Sequence, residues 1–219
     1  MPRTFPIMTL LALALAGCSP LNRSVSEAEL VKANRHVLIE GVDAPKVDGP
    51  RGCGAQALAA AIACADPAHP SVEVAAQLPW QDVGATPVDL LLEARRRGFD
   101  AVIERGTIER LTDLTSQQQP ALVMIDAGPK VRGLIFALLG LPPKLMHWGI
   151  VSGMARDGSQ VLLAATDHRH YIASRKDFLK RWEESDCCMI VVRSRETADA
   201  GNSGRASAAG PLSGVAAIR

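Results

Sequence analysis

The sequence predicts an α+β domain, with helices gathered in its first half and an antiparallel sheet built mainly from its second. Three observations carry that expectation. Residues Cys53 to Cys64 are almost entirely Ala, Leu and Ile, a composition that favours a buried helix. Thr86 to Gly98 carries the start and stop signals of a second helix. Beyond His147 the chain turns to short runs rich in Val, Ile and Leu, separated by turn residues such as Asp157-Gly158.

The N-terminal end reads differently from the rest. Arg3 is followed by an apolar run from Phe5 to Leu15 and then by Leu15-Ala16-Gly17-Cys18. The run is too short to span a bilayer permanently, and the pattern resembles a secretory signal closed by a lipobox. That resemblance implies a lipoprotein signal peptide over residues 1–17 and a mature chain that begins at a diacylglyceryl-bearing Cys18, with an ordinary cleaved signal or an uncleaved anchor as the alternative. Ser19 rather than Asp at the next position points to the outer membrane, facing the periplasm. Residues 18–35 are polar and read as a tether, with one helical turn around Ser26 to Lys32.

The domain is expected over residues 36–193. His36 to Val42 is the first strand candidate, and the Cys53 helix ends at Asp66-Pro67, where proline removes a donor and restricts its predecessor. A short helix starts at Ser71 and stops before Pro79. The next has Thr86 as N-cap, Pro87 in its first turn and Val88, Leu91, Leu92 and Ala94 directed inward, with Arg95 to Arg97 as a solvated end and Gly98 as the stop. Asp100–Glu104 is a strand, Ile108–Ser116 a helix and Ala121–Ile125 a buried strand. His147–Met154, Gln160–Thr166 and Tyr171-Ile172 supply further strands, followed by a helix Ser174–Trp182 and a last strand Cys187–Val192. Residues 194–219, rich in Ala, Gly and Ser, read as a disordered tail.

Composition removes some classes of function. With 24 basic and 23 acidic residues the chain has no electrostatic footprint for nucleic acid. No Cys-x-x-Cys or His-x-x-x-His spacing calls for zinc, so neither a metal nor a cofactor is expected. Of the cysteines outside Cys18 and Cys53, Cys64 is free to pair with Cys187 or Cys188 in an oxidising compartment, or all three are small buried hydrophobes.

Chemistry is concentrated at Cys53. It stands between Gly52 and Gly54 at the mouth of a helix, where unpaired N–H groups and the positive end of the dipole favour a thiolate. His147 opens a strand in the other half and is suited to act as its base. Asp167 follows 20 positions later, at the far end of the next strand, where a carboxylate can hold the second ring nitrogen. Asp157, in the hairpin turn, competes for that role, and His168 and His170 compete as partners of Asp167. Trp148 is expected to wall the cleft or pack in the core.

The segments Gly52-Cys53-Gly54-Ala55-Gln56-Ala57-Leu58-Ala59, Thr86 to Gly98, Met146-His147-Trp148-Gly149-Ile150-Val151 and Ala165-Thr166-Asp167 occur in the order seen in C39 and C39-like cysteine peptidases. The chain resembles that family from about Val37 to Val192. The resemblance implies a papain-like fold, N-terminal helices packed on a C-terminal antiparallel sheet, and a Cys53-His147-Asp167 triad acting on a peptide or other amide bond. One position departs from the pattern. The family carries a Gln about six places before the cysteine, and here Val47 stands there, beside Asp48. Arg51 is a possible substitute donor, while Gln56 lies within the helix, on the wrong side by position.

Three readings follow: an envelope-anchored hydrolase of a peptide or protein substrate, a catalytically weak or inactive lipoprotein that binds a peptide or protein partner in the same cleft, and an acyl or glutamyl transferase. The apolar segment Val131 to Leu141, stiffened by Pro142-Pro143, reads as a buried helix or as a lid over the cleft. The natural substrate and the oligomeric state are not written in the sequence.

Overall fold

A computed structural model describes residues 24–46, 52–78, 84–128 and 145–195. The expected signal segment, Cys18, Val47, Asp48, Arg51, the apolar stretch 131–141 and residues 196–219 lie outside the described residues.

Among the described residues eight strands form one sheet: β1 (Ser24–Ser26), β2 (His36–Leu38), β3 (Asp100–Arg105), β4 (Ala121–Asp126), β5 (Met146–Ala155), β6 (Gln160–Ala164), β7 (Arg169–Ser174) and β8 (Cys188–Arg193). The main path runs β1-β7-β6-β5-β4-β8-β3, and its pairings are antiparallel. Strand β5 is the long central member. Its first part pairs with β4, with Ile125 opposite His147, and its end pairs antiparallel with β2, with Leu38 opposite Gly153. A Cβ at Gly153 would stand 2.6 Å from the Val37 carbonyl oxygen, so this crossing requires glycine.

Helices cover both faces. Helix α2 (Cys53–Ala65), with α3 (Ser71–Ala76) and α4 (Pro87–Arg96), packs on one; α5 (Ile108–Ser116) and α6 (Arg175–Trp182) pack on the other. Strand alternation divides the core between them. Leu122 and Ile190 join Leu58, Ile62 and Leu90, whereas Val123 and Val191 join Leu111, Leu114, Phe178 and Trp182. Each such large aliphatic side chain, fully buried, contributes roughly 1.5–3 kcal/mol. Alanine predominates in α2, so the helix settles close to the sheet, and most of its residues are buried.

The fold class expected from the sequence is the one found, with differences of detail. The expected tether is structured from Ser24 onward. Ser24–Ser26 pairs with β7, and a helix α1 (Glu27–Ala33) follows, closed at its start by a Ser26–Glu29 capping box and buried through Leu30. The capping signal is plain in the sequence, but strand β1 depends on an edge supplied more than 140 positions away. The inward face of α4 is also corrected. Leu90 and Ala94 are fully buried, whereas Val88 and Leu92 are more than half exposed. Val88, Leu90, Leu91 and Leu92 lie too close together to fix the phase by pattern alone. Nor is the arginine end simply solvated. Arg96 and Arg97 both donate to the buried Glu93 carboxylate, and Arg95 donates to the Ala101 carbonyl. The hydrogen bonds from Arg96, more than those from Arg97, hold Glu93 below the usual carboxylate range. The last strand begins at Cys188, because Asp186 and Cys187 take positive φ values of 57° and 54° in the preceding turn.

Candidate active site

Cys53 is the first residue of α2. Gly52 precedes it without a capping side chain, and the first helical bond runs from the Gln56 N–H to the Gly52 carbonyl. The N–H groups of Cys53, Gly54 and Ala55 therefore precede the intrahelical ladder and point out of the helix start.

Gly54 seats this helix end. A Cβ there would lie 2.9 Å from Ala85 Cβ and 3.3 Å from Trp148 Cδ1, so only glycine lets the backbone approach so closely. Trp148 is almost completely buried, and its indole N–H donates to the Ala85 carbonyl at 2.8 Å. The residue after the cysteine thus touches the residue after the histidine. Contact between their neighbours brings the mouth of α2 to the start of β5.

Cys53 and His147 line one cavity of about 360 Å³. Its walls also include Gln56, Ala57, Ile125, Trp148, Leu163, Thr166 and Tyr171. Among the described residues no acidic or basic side chain apart from His147 lines it. His147 lines the cavity as a solvent-exposed residue, and desolvation by the protein around it pushes its pKa below the ordinary 6.5. That direction favours the uncharged imidazole, the form able to accept a proton.

The third expected residue stands apart. Asp167 occupies the β6–β7 turn with a φ of 61°, exposed to solvent; its neighbour Thr166 lines the cavity, but Asp167 does not. No hydrogen bond or ion pair joins it to His147 among the described residues. Its competitors are otherwise engaged. Asp157 accepts from the Ser159 N–H in the hairpin turn, His168 faces Asp43 at 3.7 Å, and His170 is buried against the Ser152 hydroxyl at 2.7 Å.

Gln56, set aside on its position in the sequence, belongs to the cavity wall. The i, i+3 spacing explains this: it shares a helix face with Cys53, and long helical side chains lean back toward the N-terminus.

The described cysteines, Cys53, Cys64, Cys187 and Cys188, are free thiols. Cys64 is half buried near the Glu40 carbonyl, and burial raises the pKa of Cys64 and of Cys188. Among the described residues no three His, Cys, Asp or Glu side chains cluster as a metal-ligand set, and no helix is long and apolar enough to cross a membrane.

A C39-like peptidase from Bacillus anthracis superposes with a TM-score of 0.52 at 14% identity, covering 73% of this chain and 98% of its own. The fold is that of the C39-like peptidases. The peptidase domain of Streptococcus ComA, a bifunctional ABC transporter of a quorum-sensing pathway, gives a TM-score of 0.50 at 19% identity, covering 71% of this chain and 99% of that domain. No protein-family model and no curated protein sequence matches the chain. Two C39-like domains thus align over almost their whole length, and the likeness at these identities is one of fold.

Proposed function

We propose that this chain is a cysteine hydrolase that cleaves a peptide or other amide bond, with Cys53 as nucleophile and His147 as base. The observation that carries the reading is the shared cavity: a thiol at a helix mouth and an imidazole from a distant strand line the same space in a C39-like fold. Cys53 Sγ attacks the carbonyl carbon and its proton passes to His147. The tetrahedral adduct then collapses, the amine leaves with the proton from His147, and water releases the acyl group from the thioester. The cavity favours an uncharged stretch of peptide, because no acidic or basic side chain other than His147 lines it among the described residues.

Asp167 is the third member of this reading, as the residue after cavity-lining Thr166. Rotation of its turn toward His147 on substrate binding would fix the ring; in the described conformation the base works without it. Cys18 is proposed as the lipidation site that holds the protein at the outer membrane, on the strength of the lipobox pattern. From Cys18 to Ser24 the chain spans at most about 20 Å, so an anchored protein would keep β1, and beside it the Tyr171 wall of the cavity, near the membrane surface.

The test is alkylation followed by mass spectrometry. Iodoacetamide at neutral pH should mark Cys53 well before Cys64, whose pKa is raised by burial, and His147→Ala should remove that advantage. Because the His147 pKa is shifted downward, the Cys53 advantage should extend to lower pH than an unperturbed histidine would allow. Equal labelling of the two thiols would sink the proposal. Val47, standing where the family carries its Gln, favours a second reading in which the cleft binds a peptide or protein without cleaving it. A Cys53→Ala variant that retains full biological effect would select that reading.

A further inference from the structure

We infer that Gly149 leaves open a side-chain pocket in the cavity wall, bounded by Leu163, that takes an aliphatic residue of the substrate. This rests on the hydrolase reading and names a substrate class for the same cleft.

Glycine inside a strand weakens it, and its presence there marks a bend, a bulge, or a close approach by another backbone or a ligand. Strand β5 holds two glycines, Gly149 and Gly153. They differ in what surrounds them. Gly153 is required by the β2 crossing, where a Cβ would stand 2.6 Å from the Val37 carbonyl oxygen. At Gly149 the described residues leave room: a Cβ would meet only Leu163 Cδ1 and Cδ2, each at an ordinary contact distance of 3.6 Å. Its φ is not positive either. Pairing with β4 runs in unbroken register through Gly149, from Met146 opposite Asp126 to Val151 opposite Ala121, and the irregularity of β5 comes later, between Val151 and Gly153. Among the described residues, then, neither backbone conformation nor packing asks for glycine here. A ligand does.

The surroundings say what kind. Gly149 and Leu163 both line the cavity, and so do His147, two positions back on the same strand face, and Ile125, directly opposite His147 on β4. The atoms nearest the vacant Cβ position are methyls, and among the described residues no acidic or basic side chain other than His147 lines the cavity. Such a wall favours an aliphatic group over a polar or charged one. Two strand positions span roughly 7 Å, so the side chain seated on Gly149 belongs to a substrate residue about two places from the bond beside His147.

The test uses the full chain and capped serine hexapeptides that carry one leucine at each position in turn. A peptide in the cavity should slow iodoacetamide alkylation of Cys53, which lines it. In wild type, leucine at one position should lower the half-protecting concentration at least about tenfold relative to the all-serine peptide, and lysine at that position should not. In Gly149→Val the leucine preference should shrink to about twofold or less, with Gly149→Ala between the two. The thermal midpoint of Gly149→Ala should hold or rise, because its Cβ has room. No leucine preference at any position in wild type, a preference that survives in Gly149→Val, equal loss of protection by every peptide in both variants, or a lowered midpoint in Gly149→Ala would each overturn the assignment. Equal alkylation of Cys53 and Cys64 in wild type would instead remove the hydrolase reading, and this inference with it.

Discussion

Gly54 shows how one residue sets the geometry on which the chemistry depends. It stands between Ala85 and Trp148, and neither neighbour can swing aside, since one contact is a Cβ and the other an indole already hydrogen-bonded. Gly54→Ala improves local helix propensity by up to about 1 kcal/mol. Overpacking at a site with so little room costs about 1–3 kcal/mol, so the net effect is a loss. The helix mouth must also back away from β5, which separates Cys53 from His147. We expect a lower denaturant midpoint together with a loss of the Cys53 advantage over Cys64 in alkylation. A variant that is destabilised but alkylates normally would show that the contact holds the core without setting the site. At this scale the sequence is legible where chemistry and backbone agree: the cysteine between two glycines opens its helix, and the structure puts it on the cavity wall. It is not legible for Gln56, which follows the cysteine within the helix and reaches the wall through the i, i+3 phase it shares with Cys53. Asp167 stands off the wall for a reason the sequence does not display: its turn takes two consecutive left-handed residues, Asp167 and His168.

Helix α4 carries the site's second support. Thr86 accepts from the Asp89 N–H, while the Asp89 carboxylate accepts from the Thr86 N–H and hydroxyl, so both residues fix the first turn. Ala85, the residue just before that cap, supplies the carbonyl that holds Trp148. Thr86→Ala should cost about 1 kcal/mol through the lost cap, whereas Thr86→Ser should cost much less. Release of Ala85 should also red-shift the tryptophan fluorescence in the alanine variant alone. An alanine variant with wild-type stability and emission would separate the cap from the Trp148 contact. The limits of element reading are visible in the same helix. Its ends, Thr86-Pro87 and Gly98, are local signals and are placed correctly, whereas its buried face is fixed by partners on α2 and β8 and by the Glu93 carboxylate beneath its arginines. Strand β1 was hidden for the same reason, since three residues become a strand only when β7 offers an edge.

The whole molecule joins its N-terminal segment to the half that carries His147 through a histidine that cannot readily take a proton. His170 sits on β7 opposite Val25 of β1 and is 3% exposed. Its Nδ1 lies 2.7 Å from the Ser152 hydroxyl on β5, and its Nε2 is buried without a hydrogen-bond partner. Burial is the largest influence and lowers its pKa. Glu27 and Asp43 oppose that shift, while His168 and His36 add to it. His147 is shifted in the same direction by burial. In the unfolded chain both rings titrate near 6.5. As pH falls through that value the unfolded state takes up protons that the folded state refuses, so stability falls, and the loss levels off only below the folded pKa values. We therefore expect the thermal midpoint to drop between pH 7.5 and pH 5. In His170→Gln, which keeps a side chain able to bond Ser152 but removes the titration, the drop should be smaller; the His147→Ala variant should retain the His170 share. Because His170 lies between β1 and the rest of the sheet, hydrogen exchange on acidification should rise first at Val25, Ser26 and the α1 amides, ahead of α2. Equal pH slopes in wild type and His170→Gln, or exchange rising uniformly over β1 and α2, would exclude His170 as the group that couples acidity to the N-terminal edge.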